Sequence, residues 1–391
     1  MTSRGAVVAA LAAALAAAAV LAPTDSGPAS GQGGARTTTR LELGPGLDPA
    51  AFARATAVQE YRLPDDHGPH LEYQTEWWYY TGNLAASDGR HFGFQLTFFR
   101  RGLAPGVPPD GPGLATRQIY FAHLAITDVA AGAHLFAERW SRGAGELAGA
   151  RGTPFAVWLE GWRVESTRSD GSAVRLVARD GPLLLDLELE THRPLVRHGD
   201  RGLSLKSGEP GNASHYIGYT RLSARGRLAV DGGAVPVSGA AWFDHEWSTS
   251  ALGAGAVGWD WFSLQLEDDR ELMYFQIRRE DGGIEPVSGG TLVDDTGGTR
   301  RLPAAAVSLA VLDRWTSPET GTTYPSRWRL RVPGEDLELV VEPWIPAQEM
   351  RTSFTYWEGA VRVSGTRAGR PLRGHGYVEL TGYARSMQGV F

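Results

Sequence analysis

No cysteine occurs among the 391 residues, which excludes disulfides, thiolate metal sites, thiol nucleophiles and a lipidated-cysteine anchor. Lysine is nearly as scarce. Lys206 is the one lysine among 38 basic residues, a usage that reads as coding bias. The formal charge of −6, with no basic clustering, argues against nucleic acid as a partner. Beyond residue 22 no apolar run is long enough to cross a bilayer as a helix, so no stable membrane span is expected in the mature chain. Helical periodicity is also missing over nearly the whole length.

The N-terminus has the pattern of an export signal. Arg4 precedes an alanine-rich apolar run at residues 5–22, and a polar stretch of small residues follows, with Gly27-Pro-Ala29 as one cleavage site. An uncleaved anchor is the alternative, since the run approaches the length of a span, but the weak hydropathy of alanine favours cleavage. The expectation is a signal peptide over residues 1–30 and a periplasmic or extracellular protein. Residues 31–72 would then be a linker and lead-in, with a weak helical pattern at 50–62.

From Tyr73 onward the chain reads as short strands. Fifty glycines and 23 prolines suit frequent turns, and Asp170-Gly171 and Asp231-Gly232-Gly233 are hairpin signals. Phe92, Phe94, Leu96 and Phe98 alternate along one face of a strand at 90–100. Tyr120, Ala122, Leu124 and Ile126 do the same at 118–128, with His123 opposite. Further strands are expected at 155–165, 174–180, 183–192, 214–230, 234–246, 259–267, 271–280, 289–293, 299–309, 326–332, 337–342, 355–366 and 373–383. Repeated hairpins favour closed or nearly closed antiparallel barrels, because closure removes exposed edges. The fold class is all-β, two tandem barrels fit the length, and the expected domains are residues 73–250 and 251–391.

Three familiar motifs do not hold. Gly253-Ala-Gly255-Ala-Val-Gly258 matches G-x-G-x-x-G, but a strand follows it where a dinucleotide site needs a helix. His245-Glu246 opens an H-E-x-x-H pattern that Thr249 breaks. No G-x-S-x-G is present. What remains is Ala241-Trp-Phe-Asp-His-Glu-Trp247, answered by Gly258-Trp-Asp-Trp-Phe-Ser-Leu-Gln-Leu266. Aromatic walls beside acids and an imidazole suit a pocket that moves a proton on an apolar molecule; they also suit a satisfied core.

Residues two apart on a strand share a face. His245 and Trp247 therefore point one way, and Trp242, Asp244 and Glu246 the other. Asp260 aligns with Phe262, Leu264 and Leu266, which would desolvate it and raise its proton affinity; the bland alternative is an ionised Asp at a strand mouth. Tyr274, Gln276 and Arg278 share a face that would either orient a ligand or meet solvent. Glu76, which shares its face with Trp78 and Tyr80, and His123 pose the same choice. The 13 tryptophans exceed what a core needs and favour an aromatic cavity.

Thr75-Glu-Trp-Trp-Tyr-Tyr-Thr-Gly-Asn-Leu84, Gly93-Phe-Gln-Leu-Thr-Phe-Phe-Arg100, Trp242-Phe-Asp-His-Glu-Trp247, Tyr356-Trp-Glu-Gly-Ala-Val and Gly374-His-Gly-Tyr-Val-Glu-Leu-Thr-Gly-Tyr383 resemble the carotenoid 1,2-hydratase/AttH-like family. The resemblance implies two lipocalin-like β-barrel domains with an apolar ligand cavity in or between them. It also implies water addition to an isoprenoid double bond: an acid protonates carbon, aromatic faces stabilise the cation, and water captures it. His245 and Trp247 fit the family's His–Trp pair and Tyr274 its tyrosine, while Gln276 stands where the family has an acid. Asp260, Asp244 or Glu246 would then supply the proton. Trp78, Trp247, Trp259 and Trp261 would wall the cavity, and Glu76, His123, Gln276 and Arg278 would orient an apolar small molecule. A non-catalytic carrier and a secreted hydrolase are the alternatives. No metal or cofactor is expected.

Overall fold

Alternation decides the fold strand by strand. In a computed structural model, which describes residues 49–106, 116–249 and 252–389, the strand His91–Gly102 buries Phe92, Phe94, Leu96 and Phe98 on one face. Gln95 and Thr97, on the other face, are buried too. A half-solvated antiparallel strand would leave them wet; here a second sheet covers them.

Every ladder among the described residues is antiparallel. The first sheet has thirteen strands and curls into a near-barrel. At its centre Thr75–Ala86 lies between His91–Gly102 and Val235–Ser248, so the first strand of the sheet meets its last. Ala213–Ala229 pairs with the far side of Val235–Ser248. The second sheet has ten strands and forms a half-barrel around Ala256–Leu266, which is flanked by Glu271–Arg279 and Arg370–Leu380, with Thr355–Arg367 next.

Each sheet fills its own concave side. Trp78, Tyr80, Phe94, Phe98, Trp162 and a row of leucines pack inside the first. Phe262, Tyr274, Trp328 and Trp357 pack inside the second. The inside of either barrel, one of the two places the family resemblance allows for a ligand cavity, is therefore filled by side chains. The convex faces meet instead, through Tyr79, Tyr216, Trp242, Trp261, Phe275 and Tyr377. Gly93 permits close approach there: a Cβ would collide with the Ala360 side chain of the second sheet.

Some expectations change. The helical pattern at 50–62 yields one 3-10 turn, Pro49–Ala51, followed by irregular chain. The strand expected at 155–165 is a hairpin, Ala156–Leu159 and Trp162–Ser166, turned through Glu160 at φ 53°. That at 299–309 breaks at Ala304–Ala306, and Ser308–Thr316 is a separate edge strand. Ala133–Arg142 escaped notice because its residues are nearly all half-buried on both faces, leaving no period of two. The expected export signal lies outside the described residues. Among those described, no helix is long and apolar enough to cross a membrane.

Candidate active site between the sheets

Where the convex faces diverge they leave a cleft walled mainly by aromatic side chains. One wall is a cross-strand row of the first sheet, Phe99–Trp77–Glu246–Tyr216. The facing row on the second sheet is Phe275–Trp261–Glu379. Trp259, Leu252 and Phe354 complete the walls. Strand alternation places these side chains: Trp242, Asp244 and Glu246 leave Val235–Ser248 on the side opposite Phe243, His245 and Trp247.

Acids are set into this apolar frame. The indole N–H of Trp261 donates to the Tyr216 hydroxyl at 3.0 Å, and that hydroxyl donates to Asp244 Oδ2 at 2.6 Å. Burial holds the Asp244 carboxyl well above the usual carboxylate range, outweighing the Tyr216 bond. His198 packs tilted against the Tyr216 ring with its Nε2 3.7 Å from Asp244 Oδ1, and its Nδ1 lies 3.0 Å from Thr291 Oγ1. Glu379 accepts the Trp259 indole N–H at 2.7 Å, and burial pushes its carboxyl up to about 7. Its cross-strand neighbour Glu358, fully buried and bonded by the Tyr79 hydroxyl at 2.5 Å, is raised further by burial and by Glu379. Lys206 Nζ lies 2.8 Å from Glu246 Oε2, which also accepts the Ser214 hydroxyl.

A second polar cluster lies at the inner end of the first sheet. Glu76 is fully buried and accepts Arg100 Nε at 2.8 Å; His245 Nε2 and His70 Nδ1 sit 2.9 and 2.8 Å from its Oε1. Burial would raise Glu76, but Arg100, His245 and His70 hold it well below the usual range. Burial opposes the charge on His70, yet bonds to Asp66 and Glu76 raise it to about 9. The resulting imidazolium stacks on Trp247 at 3.7 Å. Two histidines and a carboxylate are a donor set that suits a divalent cation. Here those atoms already bond to one another and Arg100 holds the second carboxylate oxygen, so the arrangement fits an internal ion network.

An AttH-like family model matches residues 54–383. The chain belongs to the AttH-like family. A putative AttH from Nitrosomonas europaea is 34% identical, over 84% of this chain and 98% of that one, with a TM-score of 0.75. Kievitone hydratase from Nectria haematococca aligns over 85% and 96% at 16% identity and TM-score 0.64. CghA aligns over 78% and 88% at 15% identity and TM-score 0.51. These last two show the fold alone. No curated protein matches the chain.

Of the residues singled out in the sequence, Asp244, Glu246, Trp259 and Trp261 line the cleft of this AttH-like protein. His245 and Trp247, expected to project into a cavity, face the opposite way, into the Glu76 network with Trp78. Burial lowers the proton affinity of His245, and the bond to Glu76 offsets this only in part. Tyr274 packs in the second core against Phe262. Asp260 is not a free acid: Gln276, Arg278 and Tyr383 all donate to it. His123 lies one ring behind the cleft wall, between the Tyr356 hydroxyl at 2.8 Å and Glu138 at 3.0 Å, against Phe354. Sequence reasoning missed Glu379, Lys206, Tyr216 and Trp77. Alternation alone separates Tyr377 and Glu379 from Val378 and Leu380, a signal that was available; that a second sheet covers that face was not.

Proposed function

We propose that this AttH-like protein is exported, takes an apolar, isoprenoid- or lipid-like molecule into the cleft between its sheets, and adds water to it by acid–base chemistry. The observation that carries this reading is Glu379, an acid that titrates near 7 on an aromatic wall. A group poised there both gives and takes a proton at neutral pH. Glu379, protonated, donates its proton to one carbon of a double bond; the cation forms against the faces of Trp261, Trp77 and Phe275. Water attacks the cationic carbon, and the resulting oxonium returns its proton to the Glu379 carboxylate. The net change is one water added, with the acid regenerated. Asp244, whose burial favours its protonated form, is held in place by the Tyr216 hydroxyl. The shared fold of kievitone hydratase is in keeping with this chemistry.

Native mass spectrometry of protein purified from its own host tests the reading, since a tight apolar ligand co-purifies. Incubation should yield a product heavier by one water, and Glu379→Gln should keep the ligand and stop the conversion. Ligand retained without conversion by the wild type would make the protein a carrier. Undiminished conversion by Glu379→Gln would refute the mechanism.

A further inference from the structure

The one lysine in the chain is in the cleft. Lys206 directly follows the short strand Leu203–Leu205, where its backbone N–H bonds to the Asn212 carbonyl at 2.9 Å. Its ammonium lies 2.8 Å from Glu246 Oε2 and 3.4 Å from Ser204 Oγ. It also sits 5.1 Å from the ring centre of Phe275 and 5.5 Å from that of Tyr216, both cleft walls. An ammonium has three N–H donors. Two are directed at Glu246 and Ser204, and the third has aromatic faces around it and, among the described residues, no acceptor.

We infer that Lys206 recognises the oxygen-bearing end of the ligand, so that the molecule bound is an apolar chain ending in a neutral carbonyl or hydroxyl group. This rests on the cleft being the ligand site. Charge selects the neutral form. Glu246 already balances the ammonium at 2.8 Å, so a ligand carboxylate meets no surplus positive charge. A carbonyl or hydroxyl oxygen accepts the spare N–H without adding charge to an apolar cavity. A compact ammonium suits this position because the planar, forked guanidinium of arginine would reach across the cleft that the chain must occupy.

A single lysine makes the test direct. In protein labelled with 15N at the lysine side chain, one ammonium resonance reports the site. Decane, decan-2-one, decan-1-ol and decanoate are titrated against it, with tryptophan fluorescence giving the affinities. The ketone and alcohol should bind about tenfold or more tightly than decane and shift the lysine signal, while decanoate gains nothing over the ketone. Lys206→Met should bring the ketone-to-decane ratio close to one; Lys206→Arg provides a second variant that keeps the charge, and should weaken all four. Equal affinity for decane and the ketone, a ratio that survives Lys206→Met, or decanoate as the tightest ligand would overturn the inference and leave the cleft reading standing. Failure of all four to bind folded protein would overturn both.

Discussion

Replacing Glu76 with Gln removes the carboxylate that pairs with Arg100 while preserving side-chain size. Both side chains are fully buried, and the guanidinium also donates to Gln118 Oε1 and to the carbonyls of His70 and Tyr73. It therefore cannot swing out to water without orphaning them. Breaking a buried pair from one side costs about 3–5 kcal/mol, and the His70 imidazolium loses one of its two carboxylate partners, keeping Asp66. Against a total stability of roughly 5–15 kcal/mol, that is a large share. Equilibrium urea unfolding at pH 7, followed by tryptophan fluorescence, measures it. Arg100→Met should cost as much, since about 1–3 kcal/mol follows from each buried carbonyl left bare. In the double variant the losses should fall short of additivity by about 2 kcal/mol or more, because the charge left alone in each single variant is gone. A loss below about 1 kcal/mol for Glu76→Gln, or strict additivity, would show that the network is not an ion cluster. Folded Glu76→Gln should still bind cleft ligands, because the network faces away from the cleft.

The remaining predictions concern pH and packing. His70, raised from 6.5 to about 9, contributes stability that is complete below pH 6.5 and fades as pH rises to 9; His70→Asn should flatten that limb of a thermal-melt profile. Glu379, raised from 4.5 to about 7, contributes stability present below pH 4.5 and lost as pH rises to 7, so Glu379→Gln should flatten that lower window. At Gly218 a new Cβ would lie 2.5 Å from both Asp244 Oδ1 and the Phe243 carbonyl oxygen; Gly218→Ala should cost roughly 1–3 kcal/mol in urea unfolding. Trp261→Ala removes the cleft's central wall and should weaken ligand binding roughly tenfold or more by fluorescence titration, with wild-type affinity as the refuting result.

Several features were legible beforehand because they are local. The two faces of Trp242–Trp247 separate as alternation requires, and the strands at 118–128 and 289–293 carry the bounds found in the structure. Asp260 shows where that logic stops. Its alignment with Phe262 and Leu264 is real, but Arg278 and Gln276 meet it from the neighbouring strand and Tyr383 from near the chain's end, and no spacing announces them. Lys206 shows the same from the opposite side: an isolated lysine in a chain of arginines looks like codon usage until Glu246, Tyr216 and Phe275 close around it.

Composition and alternation by themselves established an antiparallel all-β chain, and the order of side chains along it sorted acids, indoles and imidazole onto opposite faces. Those are properties of a strand's own geometry, which repeats every two residues. Only the tertiary structure decided which face would be enclosed. The convex sides of two separately filled sheets pack together, so Asp244 and Glu246 line the cleft while His245 is turned inward to Glu76. Glu379 and Lys206 arrive there from distant parts of the chain, because docking of one sheet on another depends on surfaces assembled from the whole chain.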